Sequence, residues 1–156
     1  MQIRRAEQHD LADIIRLLSL KRRRLASFEP LMWRVAPDAE KVSEAFLGYL
    51  LQQPTTLAFI AHKDGAMYGC VVAQLQASPP VYAPGGLTCL IDDLAVEDGD
   101  LGAQAATALL HHTWGEAKLR GAVQTLVVAA EKDAHIAGTL RQADLHPASV
   151  WWTKAL

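Results

Sequence analysis

Asp92 and Asp93 stand side by side in Leu87–Val96, a mostly apolar run that includes Leu90, Ile91, Leu94 and Val96. A carboxylate in a buried strand is costly unless it is paired, hydrated or used. The use that suits it is proton transfer, in which a positioned carboxylate acts as a general base. Adjacent side chains of a regular strand point to opposite faces, so the two aspartates are not expected to share a pocket. Asp92 is expected on the same face as Leu94 and Val96. The competing reading is that both are structural carboxylates held by hydrogen bonds.

The run stops at Glu97-Asp98-Gly99-Asp100 and restarts as Leu101 to Leu110, LGAQAATALL, whose first residues carry little side-chain bulk. The first amides of a helix have no internal partner and lie at the positive end of its dipole, which favours phosphate. The same alanines also suit a helix packed closely on a sheet, and the loop by itself leaves both readings open.

Other reactive residue types form no constellation. His111 and His112 are helix neighbours about 100° apart, which is poor geometry for one metal. His135 and His146 read as structural. Cys70 and Cys89 sit in apolar segments without metal-ligand spacing and read as small core residues in a reducing cytosol. No Ser-His-Asp or Cys-His spacing, HExxH, EF-hand loop or Walker sequence is present. No metal site is expected.

The elements that must position these groups follow from periodicity. Gln2 to Ala6 is a short strand, and Asp10 caps a helix with Leu11, Ile14, Ile15, Leu17 and Leu18 on one face. From Arg22 to Ala36 the period fails, which predicts an irregular loop whose Phe28 and Trp33 either cap the core or meet a substrate. Glu29 and Arg34 beside them suit a charged substrate group. Asp38 begins a second helix, with Val42, Ala45, Phe46, Tyr49 and Leu50 at helical spacing. Leu57–His62 and Met67–Leu75 form a hairpin through Asp64-Gly65, where a positive-φ turn fits. Ser78 to Gly86 is irregular, and Tyr82 is its one side chain suited to a pocket.

After the central strand and helix, Val123–Ala129 reads as a strand covered on both faces. Asp133–Gln142 is a short helix, and Ala148–Leu156 is a closing strand with Val150, Trp152, Lys154 and Leu156 alternating against Trp151 and Thr153. A parallel crossover through the central helix is expected to be right-handed.

Leu90-Ile91-Asp92-Asp93-Leu94-Ala95-Val96, with the acidic turn, small-residue loop and helix that follow, resembles the acetyl-coenzyme A core of GNAT-type N-acetyltransferases. The resemblance extends over nearly the whole chain. It implies an α/β (α+β) GNAT fold, a mixed sheet of about six to seven strands flanked by about four helices in the order β-α-α-β-β-β-α-β-α-β. It also implies an N-acetyltransferase that uses acetyl-CoA as co-substrate, needs no metal, and acts on a small primary amine or amino-acid-like molecule.

Carried over residue by residue, Leu94 and Val96 would offer backbone groups to pantetheine. Leu101, Gly102, Ala103, Gln104, Ala105, Ala106 and Thr107 would hold the pyrophosphate. The polyamine and thialysine acetyltransferase branch carries Glu then Asp where Asp92 and Asp93 stand. By that resemblance Asp92 is the base, acting through water, and Asp93 binds a substrate amine or caps backbone. Glu29, Trp33 and Tyr82 would line the acceptor pocket. The pyrophosphate motif is degenerate, with Leu101 where the family has Gln or Arg and Gln104 in place of its first glycine. Leu140 falls where a general-acid tyrosine is common, and Asp133 where an asparagine contacts the cofactor. A GNAT-fold module without turnover, kept for ligand binding or interaction, is the alternative.

At 156 residues and 51% hydrophobic composition, the chain is expected to form one domain over 1–156. A formal charge of -2 gives no electrostatic case for nucleic acid or a membrane surface, and Arg22-Arg23-Arg24 reads as a solvated helix end. No apolar run approaches the ~18 residues of a membrane span. A soluble cytoplasmic protein is expected, with a homodimer through the apolar closing strand as a candidate assembly.

Overall fold

A computed structural model describes residues 1–156. Its centre is a five-stranded sheet in the order β1-β2-β3-β4-β5, formed by Gln2–Arg5, Thr56–Lys63, Ala66–Gln76, Leu87–Val96 and Ala122–Val127. Neighbours from β1 to β4 are antiparallel, and β4 and β5 are parallel. The expected hairpin is the β2–β3 pair, turning through Asp64 and Gly65 at φ 51° and 78°.

Four helices cover the sheet: α1 (Leu11–Phe28), α2 (Ala39–Leu50), α3 (Asp100–Leu119) and α4 (Ala134–Gln142). One core joins α1 and α2 to the sheet through Ile14, Leu17, Leu18, Leu47 and Leu50, against Ile60, Cys70 and Val72. The other joins α3 and α4 through Ala105, Ala106, Leu109, Leu110 and Ile136, against Phe59, Val71 and Ile91. Both faces of β2, β3 and β4 are thereby removed from water, which explains their apolar runs. No helix is long and apolar enough to cross a membrane.

Four expectations are corrected. The first helix does not fail at Arg22 but runs to Phe28, because Leu25 continues the buried face of Leu18 and Lys21 and Arg24 are tied to Asp93 in β4 and Asp98 just after it. The helix α2 buries Ser43, Leu47 and Leu50, leaving Val42, Phe46 and Tyr49 on its solvent face, since only the first set meets the core. Residues 145–156 form no strand; Trp151 and Trp152 are exposed, and the sheet has five strands rather than six or seven. Alternation had suggested a strand, but a strand exists only where a neighbour takes up its backbone bonds. With no sixth strand, β5 is an edge strand, and Val123 and Leu126 are exposed rather than covered.

The pairing of β4 with β5 ends early. Its last register pair is Ile91 with Val127, followed by a 3.0 Å bond from the Val128 N–H to the Ile91 carbonyl. Beyond this point β4 continues to Val96 bonded to β3 alone, and a wedge opens between Leu94–Val96 and residues 128–130.

Candidate active site at the β4 bulge

The regular alternation expected for Asp92 and Asp93 is broken by a β-bulge. Val72 of β3 pairs with Asp93 and the next residue, Ala73, pairs with Ile91, so Asp92 is an extra residue in β4. An extra residue shifts the phase of the pleat and re-aims the side chains beside it. Cys89 and Ile91 before the bulge therefore share one core with Leu94 and Val96 after it, while Ala95 faces the other. Asp92 does not share a face with Leu94 and Val96. Instead, both aspartates line one cavity of about 320 Å³ on the α1 side of the sheet.

The two carboxylates have different surroundings. Lys21 of α1 places Nζ 2.7 Å from Asp93 Oδ1 and 3.0 Å from the main-chain oxygen of Asp92. It neutralises Asp93 and bonds the bulge at the same time. The Asp92 carboxylate is partly buried and has no hydrogen-bond or ion-pair partner of its own. Burial raises its pKa above the ordinary aspartate value, the Asp93 charge raises it further, and Lys21 opposes both. A partly desolvated carboxylate of raised pKa is suited to act as a general base.

The cavity adjoins the β4–β5 wedge. Lys21, Leu25 and residues 128–130 line both, and the wedge itself is narrow, about 20 Å³, with Leu94 and Val96 on its β4 side. The Arg24 and Asp133 side chains also line it. Asp133 is buried; its Oδ1 accepts the Ile136 N–H at 3.3 Å as the cap of α4, and its Oδ2 lies 3.8 Å from Arg24.

The seven-residue amide cradle expected over Leu101–Thr107 is smaller in the structure. Gly99 precedes α3 and its carbonyl already accepts the Ala103 N–H at 3.1 Å, so the unpaired amides are those of Asp100, Leu101 and Gly102. Ala105 and Ala106 are fully buried against the sheet, and Gln104 and Thr107 are exposed, with the Thr107 hydroxyl donating to the Ala103 carbonyl at 3.2 Å. Gly102 is required by contact, because a Cβ there would lie 1.7 Å from the Glu97 carbonyl oxygen. The acidic turn before the helix is held from α1 by Arg16–Glu97 at 2.6 Å and Arg24–Asp98 at 2.8 Å.

Of the residues expected to meet the acceptor, the structure brings Trp33 and Arg34 to the cavity. The Glu29 carboxylate turns to the Leu31 N–H at 3.3 Å, and Tyr82 is exposed in the β3–β4 loop. Leu140 packs against the α3-side core. His112 stacks edge-on to Phe59, and burial pushes the Cys70 thiol up to about 12. No group of three or more His, Cys, Asp and Glu side chains is placed to hold a metal ion. Sequence reasoning missed Lys21 and Arg22, which line the cavity. Their signal was the Leu18-to-Leu25 spacing, which carries the helical period through the basic run.

No family model and no curated protein matches this sequence. Solved structures do match. A mutant of the BH1408 protein from Bacillus halodurans is similar at TM-score 0.86 and 13% identity, covering 100% of this chain and 99% of that one. A predicted acetyltransferase with acetyl-CoA from Clostridium acetobutylicum is similar at TM-score 0.73 and 18% identity, covering 99% and 95%. An aminoglycoside antibiotic 6'-N-acetyltransferase from Acinetobacter haemolyticus is similar at TM-score 0.72 and 16% identity, covering 100% and 99%. The chain has the fold of the GNAT-type N-acetyltransferases.

Proposed function

We propose that this GNAT-fold protein transfers an acetyl group from acetyl-CoA to the primary amine of a small molecule. The observation that carries the reading is Asp92. The bulge puts its unpaired, partly desolvated carboxylate on the wall of a cavity that runs into the β4–β5 wedge.

The residues present fit acetyl-CoA. The β4 edge beyond Ile91 has backbone groups without a β5 partner, as a chain of amides requires, and the Asp100, Leu101 and Gly102 amides are free donors for a diphosphate. When bound, acetyl-CoA supplies a thioester carbonyl that an amine can attack. Asp92 takes the ammonium proton, directly or through water, so that the nitrogen lone pair is free. Lys21 keeps Asp93 neutralised and bonds the main chain of Asp92, which fixes the bulge. The side chains of Leu25, Met32 and Trp33 give the cavity an apolar lining beside the reacting amine. With leucine at position 140, this side chain cannot protonate the departing thiolate.

One observation favours a second reading, a ligand-binding module without turnover. Asp100 adds unpaired negative charge beside the same free amides where a diphosphate would sit. A thermal-shift titration with millimolar acetyl-CoA separates the two, because a ligand bound only to the folded state raises Tm. Binding followed by thiol release over a panel of amines supports the transferase. Binding without release supports the module, and no shift removes acetyl-CoA from both.

A further inference from the structure

Two partly buried side chains of opposite charge line the cavity at the bulge without a protein partner, and a third charged side chain, Arg34, lines it exposed to solvent. Asp92 is one of the two. The other is Arg22, one residue beyond Lys21 on α1, which makes no ion pair and no hydrogen bond, and whose Nη1 is shielded from solvent. Of the other basic residues of α1, Arg16 holds Glu97, Lys21 holds Asp93 and Arg24 holds Asp98, at 2.6, 2.7 and 2.8 Å, and Arg23 is exposed to solvent. A desolvated guanidinium nitrogen left unbonded is unfavourable, and a carboxylate is the partner its planar fork matches.

We propose that Arg22 receives the carboxylate of the acceptor, which is therefore a free amino acid with an apolar side chain. Its amine faces Asp92 and its body lies against Met32, Trp33 and Val35. Charge selects this class. Once Lys21 and Asp93 cancel, the inner cavity holds one free cation and one free anion, the complement of a zwitterion and not of a polyamine or a phosphate. Arg34 adds a second cation, but it is exposed at the rim. The assignment rests on the cavity being the acceptor site of the proposed transferase.

Binding measured by calorimetry on the full chain without acetyl-CoA tests it, with L-leucine, L-leucinamide and isoamylamine as probes. The wild type is expected to bind L-leucine about tenfold or more tighter than the two probes lacking the carboxylate. Arg22→Met is expected to bring the three to within about twofold, and Arg22→Lys to keep part of the preference, since a lysine retains the charge without the fork. Circular dichroism and Tm confirm that each variant is folded; should Arg22→Met fail to fold, Arg22→Lys carries the comparison. Equal affinities in the wild type, no binding of L-leucine, or a preference undiminished in Arg22→Met, or in Arg22→Lys where that variant carries the comparison, would overturn the proposal. Because acetyl-CoA is absent from these titrations, a preference for L-leucine without thiol release would sink the transferase reading and leave the carboxylate site standing.

Discussion

Lys21 Nζ lies 2.7 Å from Asp93 Oδ1, and the same nitrogen is 3.0 Å from the main-chain oxygen of Asp92. One cation on α1 thus holds both residues of the bulge, although 71 positions separate it from the nearer of them. Lys21→Met is expected to cost about 1–3 kcal/mol by urea denaturation, because it strands a half-buried carboxylate. Lys21 also holds the pKa of Asp92 down. Its loss is expected to move the acid limb of the thiol-release profile to higher pH; an unmoved limb would separate Lys21 from the base.

Asp92→Asn is expected to lower thiol release by about 100-fold or more, the usual contribution of a general base. The same change is expected to stabilise the fold at neutral pH. The pKa of Asp92 is raised in the folded state, so its contribution to stability is intact below the unfolded value and is lost as pH rises through the folded one. Asparagine carries no charge to desolvate. Urea midpoints of the two proteins should differ near pH 7 and converge at about pH 3, below the ordinary aspartate range. A variant less stable than the wild type at neutral pH would argue for a structural Asp92.

Arg4 grips Asp10 through two bonds of 2.7 Å, and the Glu7 N–H donates to the same carboxylate at 2.9 Å. Chiefly through the Arg4 bonds, the Asp10 pKa is lowered. Arg4→Met is expected to cost about 2 kcal/mol at neutral pH. For a lowered carboxylate, stability is present above the unfolded pKa and lost as pH falls through the folded one. The difference between wild type and variant should therefore fade on acidification below the ordinary aspartate range, measured by chemical denaturation across that window.

Gly102→Ala sets two effects against each other. Alanine gains about 1 kcal/mol in helix propensity over glycine, but its Cβ would sit 1.7 Å from a main-chain oxygen that no rotamer can move. The clash is expected to win. A net loss of about 1–3 kcal/mol should be accompanied by a smaller thermal shift with acetyl-CoA, because the first turn of α3 must move away from Glu97. A neutral or stabilised variant would show that this turn has room to relax.

Much of the frame was legible along the chain. The Asp64-Gly65 turn is local chemistry, and the ends of β4 at Leu87 and Val96 coincide with glycine and acidic stops that any neighbour would leave in place. Asp92 was singled out because an acid in an apolar run is expensive wherever the run packs. Glu29 and Tyr82 stand out in the sequence only by residue type in irregular segments, and their absence from the cavity lining is set by how the loops are led, which composition does not encode.

The sequence by itself determined the layers of the fold, the central strand with its acidic pair, and the small-residue start of α3, because these rest on period, turn residues and bulk within one segment. Tertiary structure decided the rest. Whether Asp92 and Asp93 share a cavity depends on Val72 and Ala73 of another strand, whose register forces the bulge. Whether Ala148–Leu156 is a strand depends on a neighbour to bond its backbone. Which cations are spent and which is left free depends on the acids that the β4 turn and the bulge bring to α1. Pairing across distant segments sets all three, and no single segment contains its partner.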